Sequence, residues 1–332
     1  MRCINKYYGF FMAVFISGLL LNGCSSNSYE EKLSLLESEH YVEDLYRGEF
    51  FAENLCVTDK DIERAGYETD GFLHAAGLFD LNRKEVLYSQ KVHEKLYPAS
   101  TTKIMTAYVA LKYGNLDDEV TVSDSILDLD PASSVCGLKV GDQLTLRDLI
   151  YGLVLHSGND NAVAIAEHIF GSEEAFVDKM NEEAKLMGAT NTHYTNAHGL
   201  QNAEHYTTAY DLYLIFNQCV QNETFREIIE TNSYPVNITE ADGTVRSDTW
   251  KPSNYYQRGL ADAPQGITVL GGKTGTTDEA GYCLILYEKD EKGNPYISVV
   301  MGAQSRQVLY KDMSALMGTI DTSLPSSPVF EE

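Results

Sequence analysis

Ser100 and Lys103 stand three residues apart at the head of a nearly all-apolar run, residues 104–111. At a helix start that spacing puts both side chains on one face and within reach of each other. A serine hydroxyl is a poor nucleophile until a base takes its proton, and a neutral lysine can be that base. Burying an ammonium is costly, so an apolar setting drives the lysine toward its neutral form, and a second cation nearby drives it further. Alone the pair is a weak signal, because so short a pattern arises easily by chance.

Two other groups of residues add chemistry. His156-Ser157-Gly158-Asn159 falls between two helical stretches. There a loop can present a hydroxyl that relays a proton beside an amide that fixes a substrate carbonyl or the lysine. Ser and Asn are also good helix caps, the structural reading of the same residues. Gly271-Gly272-Lys273-Thr274-Gly275-Thr276 follows the strand-like ITVL. Glycines in a strand admit close approach of another backbone, an extended peptide can pair with such an edge, and Lys273 with Thr274 would meet a carboxylate. A phosphate loop is excluded, since Ile267 occupies the position of its first glycine.

The elements around these residues follow from periodicity and turn chemistry. AAGLFDL and EVLYSQ flank Asn82-Arg83-Lys84 as a hairpin, and the apolar run after Ser100 forms a central helix. Thr145 to Asp148 resembles a capping box, opening a helix through LIYGLVL, with further helices over 161–170, from SEEAFV to Gly188, and from Thr208. Strands take over near Ser233: SYPVNIT and TVRSDTW around Asp242-Gly243, then ITVLGGKTGT, GYCLILYEK and PYISVVMGA, with a last helix over 310–320. The order predicts an α+β fold, an antiparallel sheet flanked by helices with an inserted all-helical subdomain.

The chain has 332 residues, 43% of them hydrophobic, enough for a substantial core, and a formal charge of −24. With no Lys/Arg-rich stretch to neutralise phosphates, a nucleic-acid role is not expected. Arg2 and Lys6 precede an apolar run too short for a bilayer-spanning helix of about 20 residues, which predicts a signal peptide over 1–23 and an exported protein. Leu21-Asn22-Gly23-Cys24 resembles a bacterial lipobox, with Cys24 as the lipidated residue. An acidic linker is expected over 24–69, a folded domain over 70–322 and a tail over 323–332. Cys56, Cys136, Cys219 and Cys283 have neither the spacing nor the companion histidines of a zinc site. No metal and no cofactor is expected, and Cys283 reads as a small buried hydrophobe.

Together S-x-x-K, S-x-N and K-T-G form the set shared by serine penicillin-recognising enzymes. Their contexts, YPASTTKIMTA, LTLRDLIYGLVLHSGNDNA, AHGL, HYTTAYDL and GGKTGTTDEAGYC, resemble those of D-alanyl-D-alanine carboxypeptidases, the low-molecular-mass penicillin-binding proteins. The resemblance spans roughly residues 70–320 and implies a fold of the β-lactamase/DD-peptidase kind. It implies that Ser100 attacks the peptide bond between the terminal D-alanines of a peptidoglycan stem peptide, with Lys103 as base. Ser157 would pass a proton to the leaving amine, and Asn159 would hold Lys103 and the substrate amide. Lys273 and Thr274 would bind the terminal carboxylate, and the N–H groups of Ser100 and Thr276, beyond Gly275, would form the oxyanion hole. Arg306 is a further carboxylate-binding candidate by the same likeness, and β-lactams are the expected covalent inhibitors. Many members carry a second β-rich domain and a C-terminal amphipathic anchor. Here SLPSSPVFEE follows the last expected helix, so the membrane anchor is expected at Cys24 instead. Two rivals remain: a β-lactamase, disfavoured because no Glu or Asp lies between Glu183 and Glu204, and a non-catalytic lipoprotein that senses stem peptides or penicillins.

Overall fold

A computed structural model describes residues 52–69 and 71–323. The chain divides between Glu53 and Asn54, and the fold belongs to the second part. Cys24, the signal segment and nearly all of the tail lie outside the described residues.

Among the described residues, nine strands form two antiparallel sheets. The larger has the order β2-β1-β9-β8-β7, from β1 (Ala75–Asp80), β2 (Glu85–Gln90), β7 (Ile267–Thr277), β8 (Gly281–Asp290) and β9 (Pro295–Ala303). In β9, Tyr296 and Val300 face one apolar cluster while Ile297, Val299 and Met301 face another, the two-residue alternation of a pleated strand. Both faces are covered, so the inner strands β1, β8 and β9 read as largely apolar runs. On one side lies the helix Arg306–Met317, whose Leu309, Met313 and Leu316 meet Leu284 and Leu286. On the other lies the helical block: α1 (Lys103–Tyr113), α2 (Leu146–Tyr151), α3 (Asn159–Phe170), α4 (Glu173–Leu186), α5 (Ala209–Val220) and α6 (Glu223–Glu230), which makes the C-terminal helix α7. The α+β class and the inserted helical block are as the sequence predicts.

Several local predictions hold in detail. Lys84 takes positive φ at the β1–β2 turn. Thr145 and Asp148 form a reciprocal capping box. Thr208 caps α5 through Asp211 N–H.

Three features differ. The single expected sheet is two, because β5 (Tyr234–Thr239) and β6 (Val245–Trp250) join β3 (Glu119–Thr121) and β4 (Gln143–Thr145) in the order β3-β4-β5-β6. Three-residue strands leave no alternation to detect, and a hairpin pattern does not say which sheet it joins. Helix α6 escapes for the same reason of brevity. Residues 54–69, expected within the linker, pack on the folded domain: Cys56 lies in the main core, Ile62 exchanges backbone hydrogen bonds with Ser89, and Tyr67 meets Tyr88 edge-on at 4.8 Å. One acid of this segment, Asp61, accepts from Lys91 N–H at 2.7 Å.

Candidate active site

Ser100 lies in a 3-10 turn, Ala99–Thr102, that leads into α1. The turn is tightly determined. Pro98 O accepts from Thr101 N–H and Oγ1, at 3.2 and 2.7 Å, and Ala99 is held at φ +48°, a left-handed conformation that a non-glycine residue adopts at a cost. Gly199 (φ +89°) passes so close that a Cβ there would stand 2.0 Å from Ala99 O.

Lys103, the first residue of α1, is 0% exposed. Its Nζ lies 3.0 Å from Ser100 Oγ, 2.7 Å from Asn159 Oδ1 and 2.6 Å from His198 O. None of these partners is a carboxylate. Burial holds its pKa well below the usual lysine range, Lys273 adds to that, and Asp160 and Cys136 oppose it. A neutral amine has two N–H bonds and one lone pair. Asn159 Oδ1 and His198 O take the two N–H bonds, leaving the lone pair for the Ser100 hydroxyl proton.

The second wall comes from a helix break. Helix α2 runs on as a π-turn, Gly152–His156, and ends at Ser157 in a left-handed conformation, φ 66°. Gly158 is required there, since a Cβ would lie 2.2 Å from Asn161 Oδ1 and 2.7 Å from Cys136 Sγ. Asn159 then opens α3. Asp160 accepts from Cys136 and Leu138 N–H, both at 2.9 Å, and Ser134 O accepts from Asn159 N–H at 2.8 Å. The residue that resembles a cap is therefore turned to the lysine by an imposed loop.

The third wall is β7, the edge of the larger sheet. Gly275 presses against the turn of the serine: a Cβ there would meet Pro98 O at 2.8 Å and Ser100 N at 3.1 Å. Lys273, 1% exposed, donates to Ser157 Oγ at 2.9 Å and Thr274 O at 3.0 Å, and burial lowers its pKa to about 7. Thr274 Oγ1 meets Ser253 Oγ at 2.5 Å. Thr276 is exposed and pairs across β8 with Tyr282.

Ser100, Lys103, Ser157, Asn159, Lys273 and Thr274 are thus linked within one site, with Gly275 and Thr276 on its rim. Arg306, at the start of α7, is exposed; it donates to Tyr255 OH at 2.9 Å and sits over the rings of Tyr255 and Tyr282. This places it at the Thr276 end of the sheet, outside the hydrogen bonds of Lys273 and Thr274. Sequence reasoning gave no role to His198, Asp160, Cys136 or Ser253. His198 acts through a backbone carbonyl, which no side-chain pattern reports, although AHGL marks the loop. Among the described residues no group of three His, Cys, Asp or Glu could hold a metal. Cys56, Cys136, Cys219 and Cys283 are buried free thiols, with burial raising Cys56 to about 12 and Cys283 to about 11.

Known proteins resemble this chain in sequence and fold. The family model for D-alanyl-D-alanine carboxypeptidase matches residues 72–305. The chain is 35% identical to the D-alanyl-D-alanine carboxypeptidase of Streptomyces sp. strain K15 over 70% of its length and 81% of the relative's. It is 32% identical to carboxypeptidase DacF of Bacillus subtilis, over 77% of this chain and 64% of that one, so it spans just under two thirds of the longer relative. The crystal structure described as the Streptomyces K15 DD-transpeptidase superposes with a TM-score of 0.70 at 30% identity, covering 78% of this chain and 98% of that one. A family model matched over residues 72–305 and a relative 35% identical over most of both chains lead to one assignment: this chain belongs to the D-alanyl-D-alanine carboxypeptidase family.

Proposed function

We propose that the chain is a serine-type D-alanyl-D-alanine carboxypeptidase in which Ser100 is the nucleophile and Lys103 its base. The observation that carries the reading is a fully buried Lys103 amine whose hydrogen-bond partners among the described residues are Ser100 Oγ, Asn159 Oδ1 and His198 O, none of them a carboxylate. As Ser100 Oγ attacks the carbonyl carbon of the penultimate D-alanine, its proton passes to Lys103 Nζ. The oxyanion is held by the N–H groups of Ser100 and Thr276, each contributing about 3 kcal/mol to the transition state. Collapse breaks the C–N bond and gives an ester on Ser100. The departing amine takes its proton from Ser157 Oγ, which the Lys273 ammonium at 2.9 Å can resupply. As the amine departs, the Lys103 ammonium passes its proton through Ser157 to Lys273 and is neutral again. It then draws a proton from the attacking water and returns it to Ser100 Oγ as the ester C–O bond breaks, which frees the serine. Lys273 and Thr274 receive the terminal carboxylate, and Arg306 adds positive charge at the Thr276 end of the strand. The substrate strand lies along the free edge of β7, and a β-lactam enters the same route as far as the ester.

Peptidoglycan is extracytoplasmic, and so is the site of action. No helix among the described residues is long and apolar enough to cross a membrane. A lipid on Cys24 would supply attachment, since each buried CH₂ of an acyl chain contributes about 0.8 kcal/mol.

The test is incubation with a D-Ala-D-Ala pentapeptide and, separately, with a labelled penicillin. Release of one D-alanine and a stable label on Ser100, both lost in Ser100→Ala, support the reading. Rapid penicillin turnover would identify a β-lactamase, and labelling without D-alanine release a sensor. Transfer of the acyl group to an added amine is the second reading, favoured by the relative described as a DD-transpeptidase.

A further inference from the structure

The catalytic lysine depends on a carbonyl that no helix or strand holds in place. Asn159 is fixed by the first turn of α3, whereas His198 O belongs to the loop over residues 196–200. Three consecutive peptide units of that loop are individually tethered. Asn196 Oδ1 accepts from His198 and Gly199 N–H at 3.3 and 2.6 Å. Thr106 Oγ1, on α1, donates to Ala197 O at 2.6 Å. Ala197 N–H donates to Glu173 Oε1 at 2.8 Å. Glu173 is the first residue of α4, behind the Ser172 cap, where a carboxylate is well placed against the helix dipole. The same Oε1 lies 3.6 Å from His198 Nε2. Because Leu200 N–H donates to His198 Nδ1 at 3.2 Å, the ring carries its proton on Nε2, turned toward Glu173. The ring is neutral: burial, then Lys103 and His205, bring its pKa down to about 3.

We propose that Glu173 is a positioning residue for acylation, holding the Ala197–His198 backbone so that the His198 carbonyl takes one N–H of Lys103 and the amine lone pair stays aimed at Ser100. The inference rests on the reading of Lys103 as the base. Without the Glu173 tether the carbonyl swings on its remaining bonds, and the amine is free to turn its lone pair away from the serine. Glu173 does not touch the reacting atoms. Its effect belongs in the rate constant of acylation and not in the number of competent sites.

Stopped-flow acylation by a fluorescent penicillin separates these two quantities. Glu173→Ala is expected to lower the rate constant by about tenfold to a hundredfold, the scale of a displaced catalytic group, with one label still bound per chain. Glu173→Gln, which keeps an oxygen acceptor for Ala197 N–H, is expected to recover most of the rate. Thr106→Val removes the tether on the other side of Ala197 at nearly constant shape. It is expected to slow acylation in the same way, and it carries the test if Glu173→Ala does not fold. An acylated wild type with an unchanged Glu173→Ala rate constant, or a loss confined to labelling amplitude, overturns this inference alone. A wild type that takes no label on Ser100 overturns the reading beneath it as well.

Discussion

Helix α1 carries Lys103 at its first turn and Lys112 at its last, and their surroundings treat the same side chain in opposite ways. Lys112 is 40% exposed and donates to both oxygens of Glu183, at 2.8 and 2.7 Å, and that carboxylate raises its pKa. It is a permanent cation. Lys103 has no carboxylate partner, no contact with water and a second buried cation near it, so its pKa moves down. What separates the charged lysine from the proposed base here is the choice of acceptor. A carboxylate fixes the charge, while an amide oxygen and a peptide carbonyl orient the amine and leave it free to lose its proton.

The most damaging change to the catalytic end is Ser100→Ala, expected to lower penicillin acylation and D-alanine release by roughly 10⁴-fold or more, measured as labelled protein per unit time. Lys103→Arg follows. Arginine keeps a positive charge and its hydrogen-bonding reach but cannot become a neutral base, so acylation should fall by about 10²- to 10⁴-fold; near-normal activity in that variant would erase the contrast with Lys112.

A third change sharpens the role of the second cation. Lys273→Gln removes a positive charge that disfavours the Lys103 ammonium, so the pKa of Lys103 should rise and the acid limb of the acylation profile should move to higher pH. The unmodified protein should also show a titration near pH 7 in substrate binding, since Lys273 lies at about 7 and loses its charge as pH rises.

The smallest effect belongs to the other end of the helix. Lys112→Ala should leave the acylation rate unchanged and cost about 1–2 kcal/mol of stability in urea unfolding, a buried-pair penalty reduced by the exposure of the lysine. Burial pushes the Glu183 pKa up, but its hydrogen bonds from Lys112 and Tyr113 outweigh this and leave it lowered. Its contribution is therefore present above the ordinary carboxylate value of 4.5 and is lost as pH falls through the lowered one. Lys112→Ala should flatten that acid-side loss.

The two ends of α1 also differ in what the sequence reveals. The Ser100–Lys103 spacing, Ser157 and Asn159, and the Lys273–Thr274 strand announce themselves because they present side chains of reactive types at fixed short spacings. The hairpins and long helices are legible because their periodicity is long enough to read. The carbonyl of His198 is silent, since its role is carried by backbone that any residue could supply. Glu173 and Thr106 are far from the motifs in sequence and meet them only through the folded loop. The packing of residues 54–69 is hidden by its acidic composition, in which Leu55 and Cys56 pack into one apolar cluster and Tyr67 into the other. The second sheet is hidden because β3 and β4 are too short to show a period.

The central claim is a protonation state, and it can be observed. In protein labelled with ¹³C and ¹⁵N at lysine, the side-chain Cε and Nζ resonances of Lys103 and Lys112 can be followed as pH is raised. Lys103 should lose its ammonium signature well below the usual lysine range, while Lys112 remains an ammonium through and beyond it. A Lys103 that stays charged up to the pH at which an ordinary lysine titrates would contradict the account.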